Sequence, residues 1–248
     1  MVGVFSKLKK WIVGGQTAAH AASRLAHESW LAGREGRWQD AIAWAEKAIE
    51  RDRGYPDGYR MLGFALLHSG SPEKARDAYT QGLSVASDDP LLHQSMGELE
   101  FELHNLAAAE EAYRRAMQLK HVDAELLFKL ALISGPRGAN AVEYLERALS
   151  LAPDDVRIRA ALGEFRYRLG QNDGAMGLLR EAIAQKPDLA HAHFYLGLAL
   201  IRDGEWERGL DELRRAVDLR PDHADYREWL AKMVSRFESE GASPGDTE

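Results

Sequence analysis

The sequence predicts an all-α protein, built as a solenoid of antiparallel helix pairs. A pattern of small and bulky residues recurs with a period of 34 residues, so that Gly63 and Tyr79 are followed by Gly97 and Tyr113. Apolar residues within each period recur every three or four positions, which is typical of amphipathic helices. A period of this length indicates stacked two-helix repeats rather than one globular core.

The period that begins at Pro56 shows how each repeat is built. An apolar stripe with helical spacing predicts a first helix, and a Gly-Ser-Pro-Glu sequence then interrupts it. We expect Ser71 to cap the second helix and Pro72 to occupy its first turn. Asp89 and Pro90 are expected to begin the next repeat in the same way.

Small residues determine how the two helices of a repeat cross. Glycine in the middle of a helix costs about 1 kcal/mol relative to alanine, so a glycine repeated at one register indicates close approach of the partner helix. We expect Gly97 to face Ala109, with Tyr113 filling the space four residues later. The same glycine recurs at Gly63, Gly163 and Gly197.

This pattern resembles the tetratricopeptide repeat, which has a period of 34 residues. The resemblance implies a right-handed superhelical solenoid that binds proteins and is not catalytic. The implied repeats are 22–55, 56–89, 90–123, 124–155, 156–189 and 190–223, followed by a capping helix over 224–238. Residues 1–21 form an N-terminal segment and the start of the first helix, and residues 239–248 form an acidic tail that we expect to be disordered.

The fourth repeat is shorter than the others, at 32 residues, because two are missing around Gly135-Pro136-Arg137-Gly138. One interpretation, which we favour, is a tightened turn between the two helices, since surface loops tolerate deletions. The other is a local change in the pitch of the superhelix that reshapes the binding groove.

Composition excludes several classes of function. The formal net charge of −7 does not favour binding to nucleic acid. The absence of cysteine excludes disulfides, thiolate metal sites and a cysteine nucleophile. No apolar stretch approaches the roughly 18 residues of a membrane span. The apolar patch Trp11-Ile12-Val13 is too short for a signal peptide, so we expect a cytoplasmic location.

The polar residues predict no enzyme, metal or cofactor site. His191 and His193 are two residues apart on a helix and point in different directions, so they cannot bind one metal ion. The pairs Asp88-Asp89 and Asp154-Asp155 lie at repeat boundaries, where helix caps are needed. Nothing in the sequence places a nucleophile beside a base.

The resemblance implies that the first helices line a concave groove, which would hold a linear segment or a helix of a partner protein. The predicted groove residues are Arg60, Phe64, Leu67, His68, Gln94, Glu98, Phe101, Phe128, Arg157, Glu164, Tyr167, Arg168, Phe194 and Arg202. Aromatic anchors among charges of both signs suit protein recognition. Packing against a neighbouring helix is the alternative for each aromatic residue. We expect Phe64, Phe101 and Tyr167 to be partly exposed.

The family's carboxylate clamp is not supported, because its lysine and asparagine are replaced here. The first repeat has Ala26 and Trp30 at those positions, and the second has Arg60 and Phe64. Arginines of the groove could still pair with acidic groups of a partner. The sequence also leaves open whether the protein forms a homo-oligomer.

The N-terminal segment combines a basic and an apolar side when it is projected on a helix. The residues concerned are Phe5, Lys7, Leu8, Lys9, Lys10, Trp11 and Ile12. Such a helix suits an anionic membrane surface or a cap on the first repeat. We favour capping or docking to a partner, because Gly14-Gly15 would let a short helix fold back onto Leu25, Trp30 and Trp44.

Two other functions therefore stay open beside the protein-binding scaffold. One is a membrane-peripheral assembly factor, anchored by the N-terminal helix. The other is a regulatory subunit or secretion chaperone for a separate enzyme or effector. Bacterial pilus-biogenesis proteins with six such repeats are similar to this chain in length alone.

Overall fold

The computed structural model describes the backbone of residues 2–135, 138 and 140–241, and the side chains of residues 17–135, 138 and 140–239. This part of the chain contains thirteen α-helices and no β-strand, so the predicted all-α class is confirmed. It divides into two compact units, Met1–Val122 and Asp123–Glu248, which we call the N-terminal and C-terminal units.

Helix pairs follow one another within each unit. The N-terminal unit contains α1 (Val2–Arg34), α2 (Trp38–Arg51), α3 (Pro56–His68), α4 (Pro72–Val85), α5 (Pro90–Glu102) and α6 (Leu106–Gln118). The C-terminal unit contains α7 (Ala124–Ser134), α8 (Ala141–Leu151), α9 (Val156–Arg168), α10 (Asn172–Gln185), α11 (Ala190–Arg202), α12 (Trp206–Leu219) and α13 (Ala224–Gly241). Consecutive helices of a unit are in contact, so the core is distributed along the row of helices.

Turns of three residues join the two helices in five of the six pairs. So short a turn allows only an antiparallel hairpin. The middle residue of each turn has a positive φ, and these residues are Gly36, Gly70, His104, Gly170 and Gly204. Glycine adopts this conformation without steric cost. His104, with φ of 60°, is the exception among them.

The close approach predicted at the mid-helix glycines is confirmed. A Cβ atom added to Gly97 would lie 2.8 Å from the ring of Tyr113, and one added to Gly63 would lie 2.3 Å from the ring of Tyr79. At these two glycines the nearest atoms belong to the bulky residue of the second helix, whereas at Gly197 the nearest atom is the backbone oxygen of Gly209, the small residue of that helix. Both tyrosines are buried, so their rings occupy the volume that a larger side chain would need.

A recurring hydrogen bond joins consecutive helix pairs. A polar side chain near the start of the first helix bonds to the backbone carbonyl six residues earlier, and the pairs are Tyr59 with Arg53, His93 with Ser87, Arg159 with Pro153 and His193 with Pro187. This contact fixes the entry of the chain into each first helix, and it satisfies a carbonyl at the boundary between pairs.

The helix caps agree in part with those predicted from the sequence. The side chain of Asp89 accepts a hydrogen bond from the backbone N–H of Leu92 at 2.9 Å, and that of Asp155 accepts one from Arg157 at the same distance. The predicted capping role of these two aspartates is confirmed. Ser71 makes no side-chain capping bond, so its predicted role is wrong. Pro72 begins α4 as predicted.

The short fourth pair differs from the expected tightened turn. Both α7 and α8 have 11 residues, whereas α9 has 13 and α10 has 14. Six residues lie between α7 and α8, against three in the other pairs; of these six, residues 136, 137 and 139 lie outside the described part. The deletion therefore shortens the helices while the connection becomes longer, and the predicted tight turn is wrong.

The first helix is longer than expected. It runs from Val2 to Arg34 without a break, through both Gly14 and Gly15, so the predicted fold-back at these glycines is wrong. The side chains of residues 1–16 lie outside the described part, and the membrane or docking contacts predicted for Phe5 to Ile12 stay predictions. The tail residues 242–248 also lie outside the described part.

Candidate partner-binding surface

The C-terminal unit has a pocket of about 620 Å³ between three first helices and α13. It is lined by Ser134, Gly135, Tyr167, Arg168, Phe194, Tyr195, Arg202 and Trp229. We call it the arginine–tyrosine pocket. Its lining comes from α7, α9, α11 and α13. The sequence predicts half of these residues as groove residues, namely Tyr167, Arg168, Phe194 and Arg202.

Two arginines of this pocket stack on tyrosine rings. The guanidinium carbon of Arg202 lies 3.8 Å from the ring centroid of Tyr167. Its Nη1 donates a hydrogen bond of 2.7 Å to the backbone carbonyl of the same tyrosine. The guanidinium carbon of Arg168 lies 5.4 Å from the ring centroid of Tyr195, and this guanidinium donates to the tyrosine hydroxyl group. Contact with the ring of Tyr167 and with the hydroxyl of Tyr195 holds each guanidinium in one orientation and leaves further N–H groups available.

The charge of Arg168 is already neutralised within the protein. Its Nη2 lies 2.8 Å from Oε1 of Glu164, whose other oxygen lies 2.7 Å from Nε2 of His191. The Glu164 side chain is only 12% exposed. Burial opposes its ionisation, but the hydrogen bond with His191 and the nearby charges outweigh burial, so the pKa of Glu164 lies below its ordinary value. Glu164 is therefore an internal counter-ion rather than a contact for a partner.

Arg202 differs from the other arginines predicted to line the groove. Nη2 of Arg60 lies 2.6 Å from Oδ1 of Asp57, and Nη2 of Arg157 lies 2.7 Å from Oδ2 of Asp155. Arg202 is exposed. Within the described residues it contacts the ring and the backbone carbonyl of Tyr167 rather than a carboxylate. It is thus an oriented cation that is available to an acidic group from outside.

Aromatic surface lies beside these cations. Burial raises the pKa of Tyr195 to about 12 and also raises the pKa of Tyr167, so both phenols stay protonated near neutral pH. Trp229 is 39% exposed, and Nζ of Lys232 lies 4.9 Å from its ring centroid. An acidic side chain next to an apolar one would match this combination of cations and aromatic rings.

Two of the predicted groove aromatics are buried. Phe194 is 6% exposed and stacks on Tyr226, with 4.6 Å between ring centroids. Phe128 is 8% exposed and lies beneath the guanidinium group of Arg157. Their rings fill space within the C-terminal unit, so packing, the alternative considered from the sequence, describes them better than contact with a partner.

The N-terminal unit has an aromatic cluster of its own. Phe64 lies 4.4 Å from His68 and 6.0 Å from Trp38 between ring centroids, and Trp38 stacks on His68 at 5.1 Å. A Cβ atom on Gly33 would lie 3.3 Å from Phe64, which leaves little room for a larger residue there. Phe64 is half-buried. It therefore packs along one edge and can offer only the other edge to a partner.

The remaining predicted residues of this unit are partly engaged. Phe101 is half-buried, so with Phe64 and Tyr167 it confirms the predicted partial exposure. Leu67 packs against the buried core around Tyr79. Gln94 is 9% exposed, and it bonds to Glu98 at 3.2 Å and to His121 at 2.6 Å. This polar network holds its side chains in place within the unit.

Sequence reasoning missed several residues that the structure places in these surfaces. Trp38 begins a second helix, and Trp229 lies on the helix assigned as a cap, so neither occupies a register associated with binding. Tyr195 directly follows Phe194, yet it is Tyr195 that supports Arg168. An exposed tryptophan with a lysine three residues later, as in Trp229 and Lys232, was an available signal in the sequence.

Comparison with known families identifies the repeat. Two family models, both described as tetratricopeptide repeat, match the chain, one over residues 34–99 and 137–193 and the other over residues 166–224 and 194–234. The chain belongs to the tetratricopeptide repeat family. The predicted resemblance is therefore confirmed.

Individual relatives and solved structures are similar to this chain at low sequence identity. Human protein O-mannosyl-transferase TMTC1 is 27% identical over 135 residues, which are 52% of this chain and only 15% of that protein. The structure of pilF from Pseudomonas aeruginosa has a TM-score of 0.77 at 17% identity and covers 87% of this chain and 99% of its own. YrrB, described as a TPR protein with an unusual peptide-binding site, has a TM-score of 0.66 at 22% identity and covers 77% and 97%. PilW, described as a type IV pilus biogenesis factor, has a TM-score of 0.68 at 16% identity and covers 84% and 98%, so the similarity to that protein extends to the fold.

The described residues contain no group of three or more histidine and acidic side chains that could hold a metal ion. His191 and His193 bond to different carboxylates, those of Glu164 and Glu212. None of the helices in the described part is both long and apolar enough to cross a membrane.

Proposed function

We propose that this tetratricopeptide repeat protein is a non-catalytic scaffold that binds a segment of a partner protein, with the arginine–tyrosine pocket as its main contact. The observation that carries the proposal is Arg202, an exposed cation held on Tyr167 beside the exposed ring of Trp229. A partner carboxylate would form charge-assisted hydrogen bonds with Arg202. An adjacent apolar side chain would cover Trp229.

The repeat architecture supports this proposal, because helical repeats present extended surfaces for macromolecules. The peptide-binding site named for the similar protein YrrB is consistent with it. A few aromatic anchors would each contribute about 1.5–3 kcal/mol, and the costs of association reduce the total. We therefore expect affinities in the micromolar range for a linear segment.

Affinity capture with quantitative mass spectrometry tests the proposal. The tagged full-length chain is compared with Arg202→Glu and with Arg214→Glu, an exposed arginine of α12 that pairs with Asp211. Partners enriched by the wild-type chain should be retained by Arg214→Glu and lost with Arg202→Glu. Equal enrichment by all three chains would show that the pocket is not the binding surface.

A second candidate function is a membrane-peripheral assembly factor. It is favoured by the continuous helix that begins at Val2. The sequence of this segment gives a basic and an apolar side when it is projected on a helix. In this case α1 would bind an anionic bilayer and the first helices would still bind a protein. A regulatory subunit or chaperone would use the same surface.

A further inference from the structure

We infer that the acidic C-terminal segment of this chain, residues 242–248, binds within the molecule to the arginine–tyrosine pocket and competes there with other ligands. The competition with a partner rests on the proposed function, whereas the binding of the segment does not. The inference comes from the charges of the pocket, from the charges of the segment and from the place where α13 ends.

Charge complementarity favours this occupant. Residues 242–248 have two carboxylate side chains, Asp246 and Glu248, and no lysine or arginine, and Glu238 and Glu240 precede them at the end of α13. The pocket has Arg202 and the 46% exposed Arg168, and Lys232 lies on the neighbouring Trp229 ring. Arg168 already pairs with the mostly buried Glu164. Arg202 bonds to the carbonyl of Tyr167, and its other N–H groups can bind a further acidic group.

The end of α13 is held in place on α12. Trp206 of α12 lies 5.9 Å from Phe237 between ring centroids, and the guanidinium group of Arg236 lies 5.3 Å from the Trp206 ring centroid. Both contacts fix the last turns of α13 on α12. The acidic segment therefore leaves from a defined position in the same unit as the pocket.

The segment is long enough to reach the pocket. Trp229, in the pocket lining, precedes Gly241 by 12 residues, which corresponds to about 18 Å along a helix at 1.5 Å per residue. The seven residues beyond Gly241 span up to about 24 Å when extended. An extended segment can thus bring Glu248 back along α13 as far as Trp229. Pocket residues that lie nearer the end of α13 need a shorter length of chain.

Tethering makes weak binding effective. A short flexible linker gives an effective concentration on the order of 1 mM. If the isolated segment bound with a Kd of about 0.1 mM, the tethered one would weaken a competing ligand roughly tenfold. Much of this attraction is electrostatic, so added salt should reduce it.

A fluorescently labelled peptide of residues 238–248 is the probe, titrated by fluorescence anisotropy into full-length chains. The double variant Asp246→Asn, Glu248→Gln removes the charges of the tethered segment without shortening the chain. We expect the peptide to bind this double variant about five to ten times more tightly than the wild type. Adding Arg202→Gln to the double variant should abolish binding, and adding Arg214→Gln should leave it unchanged.

Any of three results of the peptide titration would overturn the inference. The peptide would fail to bind the double variant at millimolar concentration, it would bind equally well with and without Arg202→Gln, or it would bind the wild type as tightly as the double variant. A wild-type dimer in sedimentation that Asp246→Asn, Glu248→Gln abolishes would also overturn it, because the segment would then bind a second copy. If partner capture still requires Arg202 in any of these cases, the proposed function stands and only the inference fails.

Discussion

In four of the six helix pairs a bulky side chain of the second helix lies against a glycine of the first. The ring of Tyr113 approaches Gly97, and Leu179 takes the same place opposite Gly163, where an added Cβ atom would lie 2.7 Å away. Tyr113 and Leu179 are both fully buried. A larger residue at the glycine would therefore have to displace part of the core.

Replacing Gly97 with leucine should destabilise the protein by about 1–3 kcal/mol or more, because the new side chain would overlap the Tyr113 ring. Thermal or urea unfolding followed by circular dichroism measures the change. Gly177→Ala is the matched control, since nothing lies within 4 Å of an added Cβ atom there. It should stabilise α10 by up to about 1 kcal/mol. Unchanged stability of Gly97→Leu would refute the proposed packing.

His193 links stability to pH. Both of its ring nitrogens face acceptors, Nδ1 at 2.6 Å from Glu212 and Nε2 at 2.9 Å from the carbonyl of Pro187. Only the protonated ring donates to both. The hydrogen bond with Glu212 raises the pKa of His193 despite burial and the nearby charge of Arg215.

We therefore expect a contribution to stability that is complete below the unfolded pKa of about 6.5. This contribution is lost as the pH rises through the higher folded pKa. Urea unfolding between pH 5.5 and 8.5 should show this loss in the wild type and less of it in Glu212→Gln and His193→Gln. If all three chains have the same pH dependence, the pair does not hold a proton in the folded state.

At the scale of residues, the sequence predicts which positions are tightly packed but not which neighbouring atoms they contact. A repeated mid-helix glycine signals close approach, whereas the atoms nearest to each glycine depend on how the two helices cross; they belong to Tyr113 at Gly97 and to the Gly209 backbone at Gly197. Likewise, the spacing of Arg168 and Arg202 marks candidate contacts. Only the structure shows that Glu164 forms an ion pair with Arg168, whereas Arg202 bonds to the carbonyl of Tyr167 and can bind a further acidic group.

At the scale of elements, the short fourth pair and the long first helix depart most from expectation. A deletion can be absorbed by a turn or by the helices beside it, and sequence length alone does not distinguish the two. In α7 and α8 the helices absorb it. In α1 the helix continues through two glycines, because the cost of about 1 kcal/mol for each glycine is small enough for the surrounding helix to offset.

The N-terminal part of α1 can be tested for membrane binding. Three lysines near an anionic surface would contribute about 1 kcal/mol each, and salt would weaken this attraction. If α1 binds membranes, the full-length chain should sediment with anionic vesicles, less so at high salt. Lys7→Gln, Lys9→Gln, Lys10→Gln should reduce this binding strongly.

A matched control variant separates the alternatives for α1. The changes Lys47→Gln, Lys74→Gln, Lys120→Gln remove the same charge from other parts of the N-terminal unit, so they should leave vesicle binding nearly unchanged. No sedimentation of the wild type with vesicles would exclude the membrane-peripheral function. Deletion of residues 1–15 should then lower the melting temperature if α1 caps the first pair, and should leave it unchanged if the segment only binds a partner.

At the scale of the whole molecule, the family and the fold class follow from the sequence, because a 34-residue period leaves few alternatives. The binding surface follows only in part. Residues from α7, α9, α11 and α13 meet at the pocket, and their approach depends on packing that no single repeat encodes. Trp229 shows this best, since its helix is a cap by sequence and part of the pocket in the structure.

Site-specific photo-crosslinking from the pocket tests the central claim most directly. A benzophenone amino acid replaces Trp229, and in a control chain it replaces Leu151, which is 55% exposed on α8. After irradiation in cells, we expect a discrete protein adduct from position 229 that Arg202→Glu removes, and no such adduct from position 151. An adduct of the same protein from position 151 but not from 229, or one from 229 that is indifferent to Arg202→Glu, would contradict the claim.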